Sequence, residues 1–245
     1  MTIDLSGLPG DGAAQAPGTA VSIVLVHGAF VDGSGWRAVY DILTARGHEV
    51  LVVQNPTITL EGDVAATERV IAMARYPVVL VGHSYGGAVV TAAGDDVRVR
   101  AVAYIAAFAP DVGESVAALN EQPAEPEEAK APLLPPQDGF LIVDPEKFPE
   151  AFASDVDPGT TRFMAAAQVP WGLEAVTAQT TRVAWQTKPT HYLLATGDLM
   201  IPPSAQRRMA ERMGARLVEI DSSHAVMLAH PEKVAAFIED AADSA

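Results

Sequence analysis

Residues 77–93, PVVLVGHSYGGAVVTAA, pass from an unbroken apolar run into small helix-compatible residues with no loop between them. A strand buried on both faces reads as such a run, and strands that alternate with helices form a parallel sheet covered on both sides. The same alternation runs through most of the chain. VSIVLVHG, from residue 21, precedes SGWRAVYDILTARGH, where Trp36, Val39, Tyr40 and Leu43 fall at helical spacing and Gly47 is the stop. EVLVV at 49–53 precedes EGDVAATERVIAMARY, with Asp63 placed as N-cap and Val70, Ile71 and Ala74 on one face. RAVAYIAAF is a fourth strand. Late in the chain THYLLATGD and ARLVEID are strands, PPSAQRRMAERMG is a helix, and PEKVAAFIEDAA is a closing helix with Pro231 suited to its first turn. The expected class is α/β, a mostly parallel twisted sheet with helices on both faces.

From about 111 to 187 the alternation fails. NEQPAEPEEAKAPLLPPQD is linker-like in composition, but Phe148, Phe152, Phe163, Met164, Trp171 and Trp185 follow among helix formers and must bury apolar surface. We read 112–187 as a helical lid inserted into a core made of 20–111 and 188–245. Residues 1–19 read as a flexible Gly/Pro/Ala-rich lead-in that lacks the marks of a secretory signal. No apolar run approaches the roughly 18–20 residues that span a bilayer, so a soluble cytoplasmic protein, monomer or homodimer, is the expectation. A net charge of −15 leaves no basic footprint for nucleic acid and disfavours anionic membranes and polyanionic substrates. With no cysteine, a thiol nucleophile, a disulfide and a thiolate metal site are all excluded.

Within the opening segment, Gly82-His83-Ser84-Tyr85-Gly86 has the form G-x-S-x-G. A strand that turns directly into a helix crowds its turn, so small residues are needed two before and two after a serine whose hydroxyl is thrust outward. That hydroxyl needs a base, and the base needs an orienting carboxylate. His224 lies in the loop past the last strand, at the sheet edge where α/β proteins place their sites, whereas His230 precedes a helix and suits its turn better. Asp198 follows the penultimate strand. Asp221 is a rival only three residues from His224, and Asp111 a weaker one after the fourth strand. The turn VHGAF at 26–30 lets backbone approach a reacting carbonyl, so the N–H groups of Ala29 and Tyr85 are the expected oxyanion donors. Phe30, His83 and Trp171 are expected to line the substrate pocket.

VLVHGAF…GW, VLVGHSYGG, TGDLMIPP and SHAVML together resemble the α/β-hydrolase superfamily over nearly the whole chain, in its small cofactor-free branch of bacterial carboxylesterases, methyl-salicylate esterases and hydroxynitrile lyases. The resemblance implies an α/β-hydrolase fold, a triad of Ser84, Asp198 and His224, a helical lid, and neither metal nor organic cofactor. It implies hydrolysis of neutral small-molecule esters through an acyl-enzyme. Lyases of the branch carry Thr after the first-motif histidine and Lys after the catalytic one. Here those positions are Gly28 and Ala225, which favours hydrolysis. A cofactor-free haloperoxidase or perhydrolase shares the triad, and a ligand receptor shares the fold; perhydrolysis rates and turnover separate these readings.

Overall fold

The computed structural model describes residues 20–122, 125 and 128–244, so the expected flexible lead-in at 1–19 lies outside the described residues. Regular structure begins with β1 (Ser22–Val26), buried at all five positions as its unbroken apolar run requires. A 3-10 turn at Gly33–Trp36 leads into α1 (Arg37–Ala45), where Trp36, Val39 and Leu43 are buried and Tyr40 only half-buried. Gly47, at φ +93°, ends that segment in a left-handed conformation that costs glycine little. Next come β2 (Glu49–Val53), α2 (Leu60–Met73), β3 (Val78–His83), α3 (Gly86–Ala93) and β4 (Val99–Ile105).

The start of α2 departs from expectation. Thr59, not Asp63, is its N-cap, accepting the Gly62 N–H at 3.1 Å. Asp63 sits one turn inside, fully buried, where its carboxylate accepts the Thr57 N–H at 2.7 Å and the Tyr85 hydroxyl at 2.6 Å. Those partners lie outside the helix and draw the carboxylate away from capping.

Between β4 and the rest of the sheet the chain makes α4 (Val116–Asn120), β5 (Phe140–Leu141), α5 (Phe148–Ala153), α6 (Pro158–Ala166), β6 (Trp171–Gly172) and α7 (Leu173–Thr177). β5 and β6 pair antiparallel. Phe148, Phe152 and Trp171 are buried, while Met164 and Trp185 are half-buried against the core. Phe163 contradicts its expected burial at 72% exposure.

β7 (Thr190–Ala195), α8 (Pro203–Met213), β8 (Arg216–Ile220), α9 (Val226–Ala229) and α10 (Pro231–Asp243) complete the fold. The six long strands form one parallel sheet in the order β2-β1-β3-β4-β7-β8. Alternate side chains divide its core. Val24, Val26 and Leu80 pack with Ile71, Val89, Met209 and the insert, whereas Ile23, Leu25, Val79 and Val81 pack with Leu43 and Phe237 of α1 and α10. The chain steps from β1 outward to β2 and then back across to β3. The carboxyl ends of β1 and β3 therefore flank a switch point, where open α/β sheets hold their ligands. No helix among the described residues is long and apolar enough to cross a membrane.

Candidate active site

Ser84 occupies the sharp turn between β3 and α3 at φ +55°, a left-handed backbone unusual for a residue with a side chain. Its N–H donates to Ile105 O at 3.2 Å, and its carbonyl accepts from Gly87 N at 3.0 Å and Phe108 N at 3.1 Å, which pins the strained residue on both sides. The flanking glycines answer to contact distances. A Cβ on Gly82 would lie 2.6 Å from Gly86 O, and one on Gly86 would lie 2.7 Å from the carbonyls of Val26 and His27. The elbow therefore exists only because strand, turn and helix approach without side chains between them.

Two later loops meet above this elbow. His224 Nδ1 stands 2.7 Å from Asp198 Oδ2, and both side chains are almost wholly buried. A carboxylate only accepts, so Nδ1 carries a proton and donates it to Asp198; Nε2 has no hydrogen-bond partner among the described residues. Asp198 is held in turn. Its Oδ1 accepts from Met200 N at 2.7 Å and Ile201 N at 2.9 Å, and Oδ2 also accepts from Gln206 Nε2 at 2.8 Å. Gln206, on the buried face of α8, spends its remaining groups on Ala195 N and Ile201 O. The rivals lie elsewhere. Asp221 is exposed, Asp111 bonds Gln186 and Val112 at the surface, and His230 starts α10.

The first-strand turn closes the other side. A Cβ on Gly28 would come within 2.6 Å of Ser84 Cβ and 3.1 Å of Ser84 Oγ, so this backbone lies against the hydroxyl. Ala29 directly follows Gly28 and Tyr85 directly follows Ser84, and among the described residues neither N–H has a protein acceptor. His27 braces the turn: Nε2 accepts from Asn55 N at 2.8 Å and Nδ1 therefore donates to Gly28 O at 2.8 Å. Burial holds the His27 pKa below its ordinary value, which keeps that ring neutral. Tyr85 is anchored by its hydroxyl on Asp63 and by Trp171, whose ring lies 5.1 Å from it and 5.6 Å from Phe30.

Of the expected pocket residues, Phe30 does line a cavity, one of about 180 Å³ shared with Val31, Phe163, Met164 and Leu228. A second cavity of about 170 Å³ is lined by Phe108, Leu119, Met200 and Met209 beside the polar Asn120 and Lys130. Trp171 and His83 line neither. Trp171 stands behind Tyr85 and Phe30. His83 points to the opposite face of the sheet, fully buried, and its Nε2 donates to the His224 carbonyl at 2.9 Å. Burial first, and the neighbouring His224 second, hold its pKa well below the ordinary value. It is a support beneath the histidine loop.

Three contributors escaped the sequence reading. Gln206 left one trace, an amide within the apolar spacing of Met209, Ala210 and Met213. Asp155, which grips Ser222 and Ser223, left none, since its partners are 67 and 68 residues away. Gly28 entered as part of a small-residue turn and as the position where lyases carry Thr, without its contact on Ser84. Among the described residues no cluster of three or more His, Asp or Glu is spaced to hold a metal ion.

A parallel sheet with a strained serine elbow at its switch point, and an Asp–His pair brought in by the last two strands, defines a hydrolase architecture. The chain matches the alpha/beta hydrolase family over residues 23–237 and belongs to it. It is accordingly an enzyme of the hydrolase class. A pyrethroid hydrolase of Sphingobium wenxiniae is 26% identical over 253 residues, covering 92% of this chain and 89% of its own. A carbendazim hydrolyzing esterase of a Nocardioides species is 33% identical over 120 residues, 43% of this chain and 50% of its own. The crystal structure of a pyrethroid hydrolase from Sphingobium faniae superposes with a TM-score of 0.77 at 24% identity, over 92% of this chain and 98% of that one, and so shares the fold.

Proposed function

We propose that the protein is a serine esterase that cleaves neutral carboxylic esters of small to medium apolar or aromatic groups through an acyl-enzyme. The observation that carries this reading is the His224 ring, tied to Asp198 through one nitrogen and unpartnered at the other, at the edge where Ser84 is presented. His224 takes the Ser84 proton as Oγ attacks the ester carbonyl, and the Ala29 and Tyr85 N–H groups hold the oxyanion. His224 then gives that proton to the departing alcohol. Water repeats the cycle and frees the acid. Asp198 stabilises the imidazolium and fixes its tautomer.

The two cavities are lined mostly by apolar side chains, Phe30 and Met164 in one and Phe108 and Met209 in the other, which supports the substrate class, because burying apolar groups contributes about 25 cal/mol per Å² removed from water. The insert from 112 to 187 acts as the lid over them. The relatives' names, a pyrethroid hydrolase and a carbendazim hydrolyzing esterase, agree with this class of chemistry. Ala225, next to His224, is buried and places no ammonium there, so cyanohydrin cleavage is expected to be feeble.

The test is a panel of neutral esters, lactones and amides assayed beside labelling by a serine-directed phosphonate. Ser84→Ala and His224→Ala should each lower kcat by about 10⁴-fold or more, with labelling lost in the first. A folded Ser84→Ala protein that kept more than about a tenth of wild-type turnover would reject the mechanism.

A further inference from the structure

The loop that carries His224 is gripped by the insert as well as by the sheet. Asp155, just beyond α5, accepts three hydrogen bonds from it: Ser222 Oγ at 2.7 Å, Ser223 N at 3.0 Å and Ser223 Oγ at 2.5 Å. One residue past the histidine, Ala225 N donates to Phe152 O at 2.9 Å. The Phe152 ring, stacked on Phe148, meets the His224 ring edge-on at 4.8 Å. From the sheet side the same loop is held by Gly197 N on Ser222 O at 3.0 Å and by His83 on the His224 carbonyl. The residues on both sides of the histidine are thus held by Phe152 of α5 and by Asp155 as well as from the sheet, while Asp198 holds the ring itself.

We propose that Asp155 is a positioning residue for the catalytic base: it locks the Ser222–Ser223 segment so that His224 faces Ser84, which makes α5 a part of the active site and not of a movable cover. The proposal rests on the reading of His224 as base. A carboxylate suits the task because one side chain can satisfy a backbone donor and two hydroxyls at once. Burial alone would raise its pKa, but the bonds from Ser223 and Ser222 outweigh that and hold it below the ordinary value, so it stays ionised to accept them. Any motion of the insert that admits substrate must then leave α5 in place.

Asp155→Ala should lower kcat by about tenfold, a loss of roughly 1.4 kcal/mol in transition-state stabilisation, with KM within about twofold. The rate of phosphonate labelling at Ser84 should fall by the same factor. The Ser222→Ala/Ser223→Ala double variant should show the same loss, and adding Asp155→Ala to it should cost nothing further, because all three changes cut one set of bonds. Asp157→Ala removes the N-cap of α6 two residues away and should leave kcat unchanged, which separates the clamp from general weakening of the insert. If Asp155→Ala fails to fold, Asp155→Asn, which keeps the shape and one acceptor, should give a smaller loss in the same direction. Wild-type kcat in folded Asp155→Ala, additive losses in the combined variant, or a change confined to KM would each overturn the proposal. Activity retained in His224→Ala would instead overturn the reading beneath it.

Discussion

Two aspartates follow the last two strands, and burial separates their roles. Asp198 is 2% exposed with four donors on its oxygens, while Asp221 is exposed. Asp198→Asn should lower kcat about 10³- to 10⁴-fold, since an amide can offer His224 a donor where it needs an acceptor. Asp221→Asn should stay within about twofold. Exchange of those two outcomes in steady-state kinetics would transfer the role to Asp221. At this scale the sequence was informative wherever a residue's place along a strand limits what it can reach: Ser84, Asp198 and His224 follow the ends of β3, β7 and β8. It was silent where chemistry depends on side-chain direction. Position 83 alternates with 84 across the sheet, so His83 looks away from Ser84, and a motif written in one line cannot show this.

Among the elements, the turn after β1 and the elbow after β3 have to approach each other without a side chain between. Gly28→Ala would put a methyl 2.6 Å from Ser84 Cβ and 3.1 Å from its hydroxyl, both belonging to a residue already pinned by its neighbours. The expected outcome is a drop in kcat of about 10²-fold or more, with much of the fold retained, because the displaced backbone carries the Ala29 N–H proposed as an oxyanion donor. Circular dichroism beside kinetics checks it; wild-type kcat would mean that this turn does not abut the reacting atoms. The central strands β1, β3, β4 and β7 were legible because buried parallel strands are written as mostly apolar runs, whereas the edge strands β2 and β8 are largely half-exposed or exposed and were read from their alternation with helices. The individual helices of the insert were not legible, since they span five to nine residues, too few turns for a period of 3.6 to stand out. The start of α2 was misplaced for a related reason: Tyr85, which claims Asp63, lies 22 residues downstream.

Over the whole molecule, buried histidines with lowered pKa values, His27 and His83 together with His191, make stability fall in acid. His27 and His83 both have folded pKa values below the unfolded value of 6.5. Each therefore binds its proton more readily when unfolded, so the folded state is at full advantage above about pH 6.5 and loses it as pH falls below that. Urea denaturation should give a lower unfolding free energy at about pH 5.5 than at about pH 7.5, and His83→Gln should flatten the difference. Equal stability at both values would contradict the assignment. The strand order carries a consequence for refolding. Ser84 and Ala29 belong to the part of the sheet before the insert, Asp198 and His224 to the part after it, and the two parts join along one seam, β4 against β7, from Val102 opposite Thr190 to Ile105 opposite Leu193. Pairing across so long an intervening stretch is a late, non-local event. Turnover is then a clock for the closure of that seam. Recovery of activity after dilution from denaturant should trail the recovery of helical signal, and a refolding chain that has built only β1 to β4 should already display the Ser84 elbow and remain catalytically mute.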